Sequence, residues 1–220
     1  MPVSSCGRIL PENIVEMYVA AGYSTVVLTN HFSRHTFRPA ALPETATWEE
    51  KVAFFLSDFE KMKAAAGERL HVLMGMEFRL DCQEETDFLV YGLGEEFLLA
   101  NPDILQLRFK DFSARVREAG GLLIQAHPFR NNVVISDPNF IDGVEVWNCS
   151  VGHPSRNDVA EFWANRFSLI KTSGSDLHRD WQILGGGIVT DAPITCNEEL
   201  LATLRGGAYE LIRGGEPNPN

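Results

Sequence analysis

Apolar positions along the chain switch between a helical and a strand period, and the switches predict the elements. Pro11 to Ala21 sets Ile14, Val15, Tyr18 and Val19 at helical spacing and stops at Gly22. Proline in the first turn and glycine past the last is the expected asymmetry of a helix. Ser24–Thr29 (STVVLT) is β-branched and almost wholly apolar, as a strand buried on both faces is. Thr47-Trp48-Glu49-Glu50 forms a capping box for a helix that ends at Gly67. Strands are predicted at His71–Leu80 and Phe88–Leu93, then a helix over Asp103–Ala119 closed by Gly120-Gly121. Further strands fall at Leu122–Ala126, Gly143–Trp147 and Ser168–Thr172, with a helix opening at Ser155-Arg156-Asn157-Asp158 between the last two. A short strand (Gly187–Thr190), a helix (Asn197–Leu204) and a strand (Ala208–Ile212) complete the series.

Strand–helix alternation predicts parallel pairing in an α/β sheet or barrel. No repeat or linker divides residues 1–213, which read as one domain, and Gly214–Asn220 reads as a disordered tail. The span from Phe32 to Ala46 is the most irregular and is expected to loop over a site.

Composition narrows the function classes. The 220 residues are 45% hydrophobic, and no run approaches the roughly 18 apolar residues a membrane span needs. The first twenty residues lack a basic stretch ahead of an apolar core, so a cytoplasmic protein is expected. Cys6, Cys82, Cys149 and Cys196 form no CxxC pair, which argues against a zinc ribbon or a disulfide framework. A net charge of −11 speaks against a nucleic-acid partner, since phosphate backbones want a basic stripe.

The histidines carry the chemistry. His31, His127 and His178 (with Asp176) come after predicted strands, His153 comes shortly after another, and Glu77 lies at the end of a fifth. In a parallel barrel those strand ends converge on one mouth. Histidine and carboxylate together suit zinc, manganese or iron. A single histidine after a strand is usually a polar loop residue; four in equivalent places are not explained that way. His71 opens a strand at the wrong end and reads as structural, while His35, in the loop after His31, is within reach of the mouth.

Leu28–His31 (LTNH), Gly75–Phe78 (GMEF), Ala126–Phe129 (AHPF) and Gly174–His178 (GSDLH) resemble, in order, successive motifs of the PHP (polymerase and histidinol phosphatase) family. VEVWN with His153 after it also resembles a family segment, and the match spans nearly the whole chain. The resemblance implies a distorted (β/α)7 TIM-like barrel with one to three divalent ions (Zn, Mn or Fe) at its mouth. It implies a phosphoesterase of the histidinol-phosphatase kind, hydrolysing a small phosphorylated substrate with metal-activated water.

Carried over position by position, the implied metal ligands are His31, Glu77, His127, His153, Asp176 and His178, with Cys6 at a further ligand position. Glu77 is the natural bridge, because a carboxylate accepts from two cations and a neutral imidazole serves one. Glu77, Asp176 and His178 are the expected catalytic groups. Arg34, Arg79, Arg130 and Arg179, with His35, are the expected phosphate holders, Arg130 and Arg34 foremost.

Two departures stand out. Asn30 occupies a position that usually carries a carboxylate, and the family's opening strand ending in H-x-H has no counterpart. The first strand is therefore expected to be absent or incomplete, the chain truncated, its metal centre incomplete, and a homodimer able to form through the gap. The alternatives are a catalytically impaired PHP-like binding or regulatory module and an amidohydrolase-type metal hydrolase.

Overall fold

The computed structural model describes residues 3, 4, 6–83, 85–182 and 184–214. The tail expected from residue 214 lies outside the described residues from 215 onward.

Helix α1 (Pro11–Ala20) leads into β1 (Thr25–Leu28) and a two-residue strand, β2 (His31–Phe32). Helix α2 (Trp48–Ala66) starts at the capping box: Thr47 donates its N–H to the Glu50 carboxylate at 2.8 Å, and Glu50 returns its N–H to the Thr47 hydroxyl at 3.3 Å. Then come β3 (His71–Phe78), β4 (Phe88–Tyr91), α3 (Glu95–Leu99), α4 (Phe109–Glu118), β5 (Leu122–Gln125) and β6 (Gly143–Asn148). Helix α5 (Asn157–Phe167), β7 (Ile170–Gly174), β8 (Gly186–Val189), α6 (Asn197–Gly206) and β9 (Glu210–Arg213) complete the order.

The main sheet runs β1-β3-β4-β5-β6-β7, with β2 beside the end of β3. Pairing is parallel at β1/β3, β5/β6 and β6/β7, but β4 is antiparallel to both of its neighbours. That corrects the expectation of a uniformly parallel sheet. The reason is chain length: residues 79–87 are too few for a parallel crossover, which needs a dozen or more. A second correction concerns the helix expected over Asp103–Ala119. It breaks into a 3₁₀ turn at Ile104–Gln106 and α4, because Arg108 is extended (ψ 150°) and the Leu105 carbonyl accepts from Asp81 N–H.

The closing strands are not staves of the sheet; β8 and β9 pair only with each other, antiparallel. The sheet is thus an open, mixed α/β sheet ending at β1 and β7, and those two edges do not pair with one another among the described residues. A cavity of about 740 Å³ lies between them, lined by Val26, Leu28, Thr172, Gly174 and the segment after Leu184.

The core sits against the middle of the sheet. Phe32 meets Phe37, Trp48, Phe55 and Phe78 with ring centroids 4.9–5.9 Å apart, and Phe78 continues to Phe112 at 5.0 Å. Among the described residues no helix is long and apolar enough to cross a membrane.

Candidate metal centre

The parallel strands all leave the sheet at the same end, so the residues just past each strand gather there. His31 comes after β1, Glu77 closes β3, His127 comes after β5, Asn148 ends β6 ahead of His153, and Asp176 and His178 come after β7. Because β4 runs the other way, the residue before it reaches the same rim. That residue is Asp87, fully buried.

Glu77 lies between two imidazoles. One of its oxygens is 3.3 Å from His31 Nδ1 and the other 3.5 Å from His127 Nε2. Asp87 stands behind it, 4.0 Å from His31 Nδ1 and 3.8 Å from His127 Nε2. Arg79 grips both Asp87 oxygens, at 2.7 and 2.6 Å. On the far side of His127, Asp176 Oδ2 is 3.2 Å from His153 Nε2, and Asp176 Oδ1 is 3.3 Å from His178 Nδ1. Asn148 Nδ2 donates to Glu145 Oε2 at 2.9 Å and to Asp176 Oδ2 at 3.3 Å. Glu145 Oε2 also accepts the backbone N–H of His127 at 2.9 Å. The sulfur of Cys6 and one nitrogen each of His31 and His178 lie within 4.8 Å of one another.

The backbone is held under strain at two of these positions. His127 (φ 27°) and Asp176 (φ 46°) adopt left-handed conformations that β-carbon residues rarely take, and such residues cluster at functional sites. At Gly174 the reason for glycine is contact: a Cβ there would overlap the Glu145 carboxylate.

The electrostatics favour cations. Burial would lower the His31 imidazole, but Glu77 and the Cys6 thiolate outweigh it and lift it to about 10. His127 rises to about 9 against its burial, through Glu77. The hydrogen bond to Cys6 and the charge of Asp176 lift His178 to about 9. Burial pushes the Cys6 thiol up, yet His178 and His31 bring it down to about 6. Asp87 and Asp176 are buried and would rise, but Arg79 and His153, respectively, hold them below the usual carboxylate range. Burial, helped by the Asp176 charge and opposed by His127, takes Glu145 up to about 7. The cluster therefore keeps protons on imidazoles where its carboxylates call for positive charge.

A divalent ion suits this donor set. Imidazole, carboxylate and thiolate are ligands of zinc and its neighbours, and buried His127 Nδ1 has no hydrogen-bond partner.

The structure brings His31, Glu77, His127, His153, Asp176, His178 and Cys6 to one rim. The expected phosphate holders behave differently. Arg79 gives its fork to the wholly buried Asp87. Arg179 donates to the Cys6 carbonyl at 3.3 Å, and half-buried Arg130 bonds its N–H to the His127 carbonyl at 3.0 Å. Arg34 and His35 are exposed in the loop after β2. Sequence reasoning does not find Asp87 and Glu145 as site residues. Glu145 is legible in VEVWN, where it sits three residues before Asn148; Asp87 is hidden by the reversal of β4.

The fold recurs in solved structures. The chain superposes on a protein assigned as a metal-dependent phosphoesterase from Bifidobacterium adolescentis ATCC 15703 with a TM-score of 0.56, at 17% identity, covering 93% of each chain. It superposes on PsfC from Pseudomonas syringae PB-5123 with a TM-score of 0.62, at 11% identity, covering 98% of this chain and 90% of that one. At such identities the likeness establishes the shared α/β fold. No family model and no curated protein sequence matches the chain.

Proposed function

We propose that this rim is a divalent-metal centre that hydrolyses small phosphomonoesters. The observation that carries the reading is Glu77, whose two oxygens face two imidazoles from different strands, 3.3 and 3.5 Å away. Glu77, Asp87, His127, His153 and Asp176 would hold the ions on the oxygen-rich side, with zinc, manganese or iron as the fitting metals. Bound there, such ions supply an acidified water and neutralise charge on the phosphoryl oxygens.

The chain's own groups do the rest. Asp176, kept anionic by the histidines beside it, would accept a proton from the attacking water and pass it to the alkoxide that leaves as the ester P–O bond breaks. His178, anchored through Nδ1 to the Asp176 carbonyl at 2.8 Å, fixes the turn on which that carboxylate rides. Arg79 keeps Asp87 ionised and aimed at the rim. Arg130 and Arg179, with Arg34 and His35 in the facing loop, are the groups proposed to hold the substrate dianion, for which a guanidinium fork is the right shape.

The test is turnover of p-nitrophenyl phosphate after chelation and reloading with Mn²⁺, Zn²⁺ or Fe²⁺. Activity is expected to return with metal and to fall by at least about 100-fold in Asp176→Ala and His127→Ala. A folded protein that hydrolyses no phosphomonoester with any of these ions overturns the proposal.

A further inference from the structure

We infer that the cavity behind the rim takes the substrate's leaving group, and that this group is an apolar chain with an acceptor oxygen partway along it. The inference rests on the phosphomonoesterase reading above and adds to it the class of alcohol that is esterified.

The cavity is continuous with the candidate metal centre. Glu77, His127 and Asp176 line it at the rim, and Val27, Leu89, Ala126, Ile188, Leu200 and Leu204 line it elsewhere. Side chains alternate along a strand, so Glu77 shares a face of β3 with Gly75, and Leu89 shares a face of β4 with Tyr91. Glu77 pairs with Leu89 and Gly75 pairs with Tyr91, so this wall carries a carboxylate at the rim and apolar surface beneath it.

The volume, about 740 Å³, falls among sites that enclose a drug-sized molecule, and a phosphate group alone leaves most of it empty. Water against valine, leucine and isoleucine side chains lacks the polar partners it needs. An apolar chain entering there leaves bulk solvent and gains from it.

Tyr91 adds a polar group to this surface. The residue sits within the sheet yet keeps part of its surface open, and it lines the cavity. Burial raises its phenol, and the charges of Glu145 and Glu77 raise it further, so it keeps its proton. Among the described residues its hydroxyl meets no hydrogen-bond partner. A donor held at that depth calls for an acceptor on whatever enters. Tyr91 lies two residues below Glu77 in the register, about 7 Å at the roughly 3.3 Å rise of a strand. An extended chain of C–C bonds covers that distance in about five carbons.

The phosphate then stays at the rim while the chain descends. Water adds to phosphorus, the ester P–O bond breaks, and the apolar alcohol departs carrying the proton.

The experiment measures kcat/KM of Mn²⁺-loaded protein for ethyl, butyl, hexyl and octyl phosphate. A buried methylene is worth about fourfold, so octyl phosphate is expected to exceed ethyl phosphate by at least about 50-fold. Ile188→Trp fills the cavity from half-buried β8 and should flatten the series while leaving ethyl phosphate turnover unchanged. Octyl phosphate with a keto oxygen at its fifth carbon should outrun the plain chain about fivefold, and Tyr91→Phe should erase that advantage. A flat alkyl series in wild type, with p-nitrophenyl phosphate still hydrolysed, overturns the inference and leaves the phosphatase reading standing. A length preference that survives in Ile188→Trp, or a keto advantage that is missing in wild type or survives in Tyr91→Phe, also overturns it. Calorimetry with octylphosphonate and ethylphosphonate needs no turnover: tighter binding of the octyl compound by protein that hydrolyses nothing would keep the chain site and remove the phosphatase reading, and equal affinity would overturn the chain site.

Discussion

The middle of the sheet and its open side are built differently. Every residue of β5 is buried, and Phe78, Phe88 and Phe112 lock the strands around it to the helices. On β7, at the edge of the gap, only Thr172 is buried, and β8 next to it leaves Val189 exposed. The rim of candidate ligands spans both regions, with Glu77, Asp87 and His127 on the packed side and Cys6, Asp176 and His178 on the open one. Stability is concentrated in one region, while the chemistry straddles the two.

The largest effect that would break this contrast belongs to the packed side. Phe112→Ala removes a fully buried ring that touches Phe78 and Phe88, and it is expected to cost about 3–5 kcal/mol in denaturant unfolding. A loss below about 1 kcal/mol would mean the middle of the sheet is no more tightly built than its edge.

A smaller effect comes from Glu145, on the strand between the regions. Its carboxyl rises from 4.5 to about 7 on folding because burial disfavours the anion. The folded state therefore holds the proton more tightly than the unfolded one. Stability from this group is full below pH 4.5 and falls as the pH climbs to 7, by at most about 3 kcal/mol. In metal-free protein, unfolding midpoints at pH 5 and 7.5 should differ markedly more in wild type than in Glu145→Gln. Equal differences would count against a strained carboxyl there.

The smallest belongs to the open side. Tyr23 donates its hydroxyl to the Gly186 carbonyl at 2.9 Å, tying the β8 segment to the start of β1. Tyr23→Phe is expected to cost about 0.5–1.5 kcal/mol, measured by thermal unfolding at fixed metal content. A loss of about 3 kcal/mol or more would erase the distinction between the two regions.

The sequence made the element types legible wherever a period was long and well punctuated, as with α2 between its capping box and Gly67. Strand ends carrying His31, Glu77, His127 and Asp176 were legible for the same reason, since parallel strands deliver their exits to one rim. Direction was not legible at β4, whose four residues, FLVY, carry no sign of which way they run. Asp87 went with it. Partners were not legible either: nothing in Arg79 as a letter shows that its guanidinium faces Asp87 rather than a substrate. Such pairings are set by distances that close only when the sheet assembles.

The reversal of β4 also has a consequence in time. Loop-closure entropy grows with the length of chain that must be gathered, so pairings joined by short segments are the cheapest to form first. Residues 79–87 are all that separate β3 from β4, whereas β1 reaches β3 only across the whole of α2. The β3–β4 hairpin is therefore the natural seed of the sheet. It brings Glu77 and Asp87 to the same rim, with Asp87 already held by Arg79 of the same hairpin, before any histidine from β5 or β7 arrives. The imidazoles, coming from later and more distant closures, complete a site whose negative half is already standing.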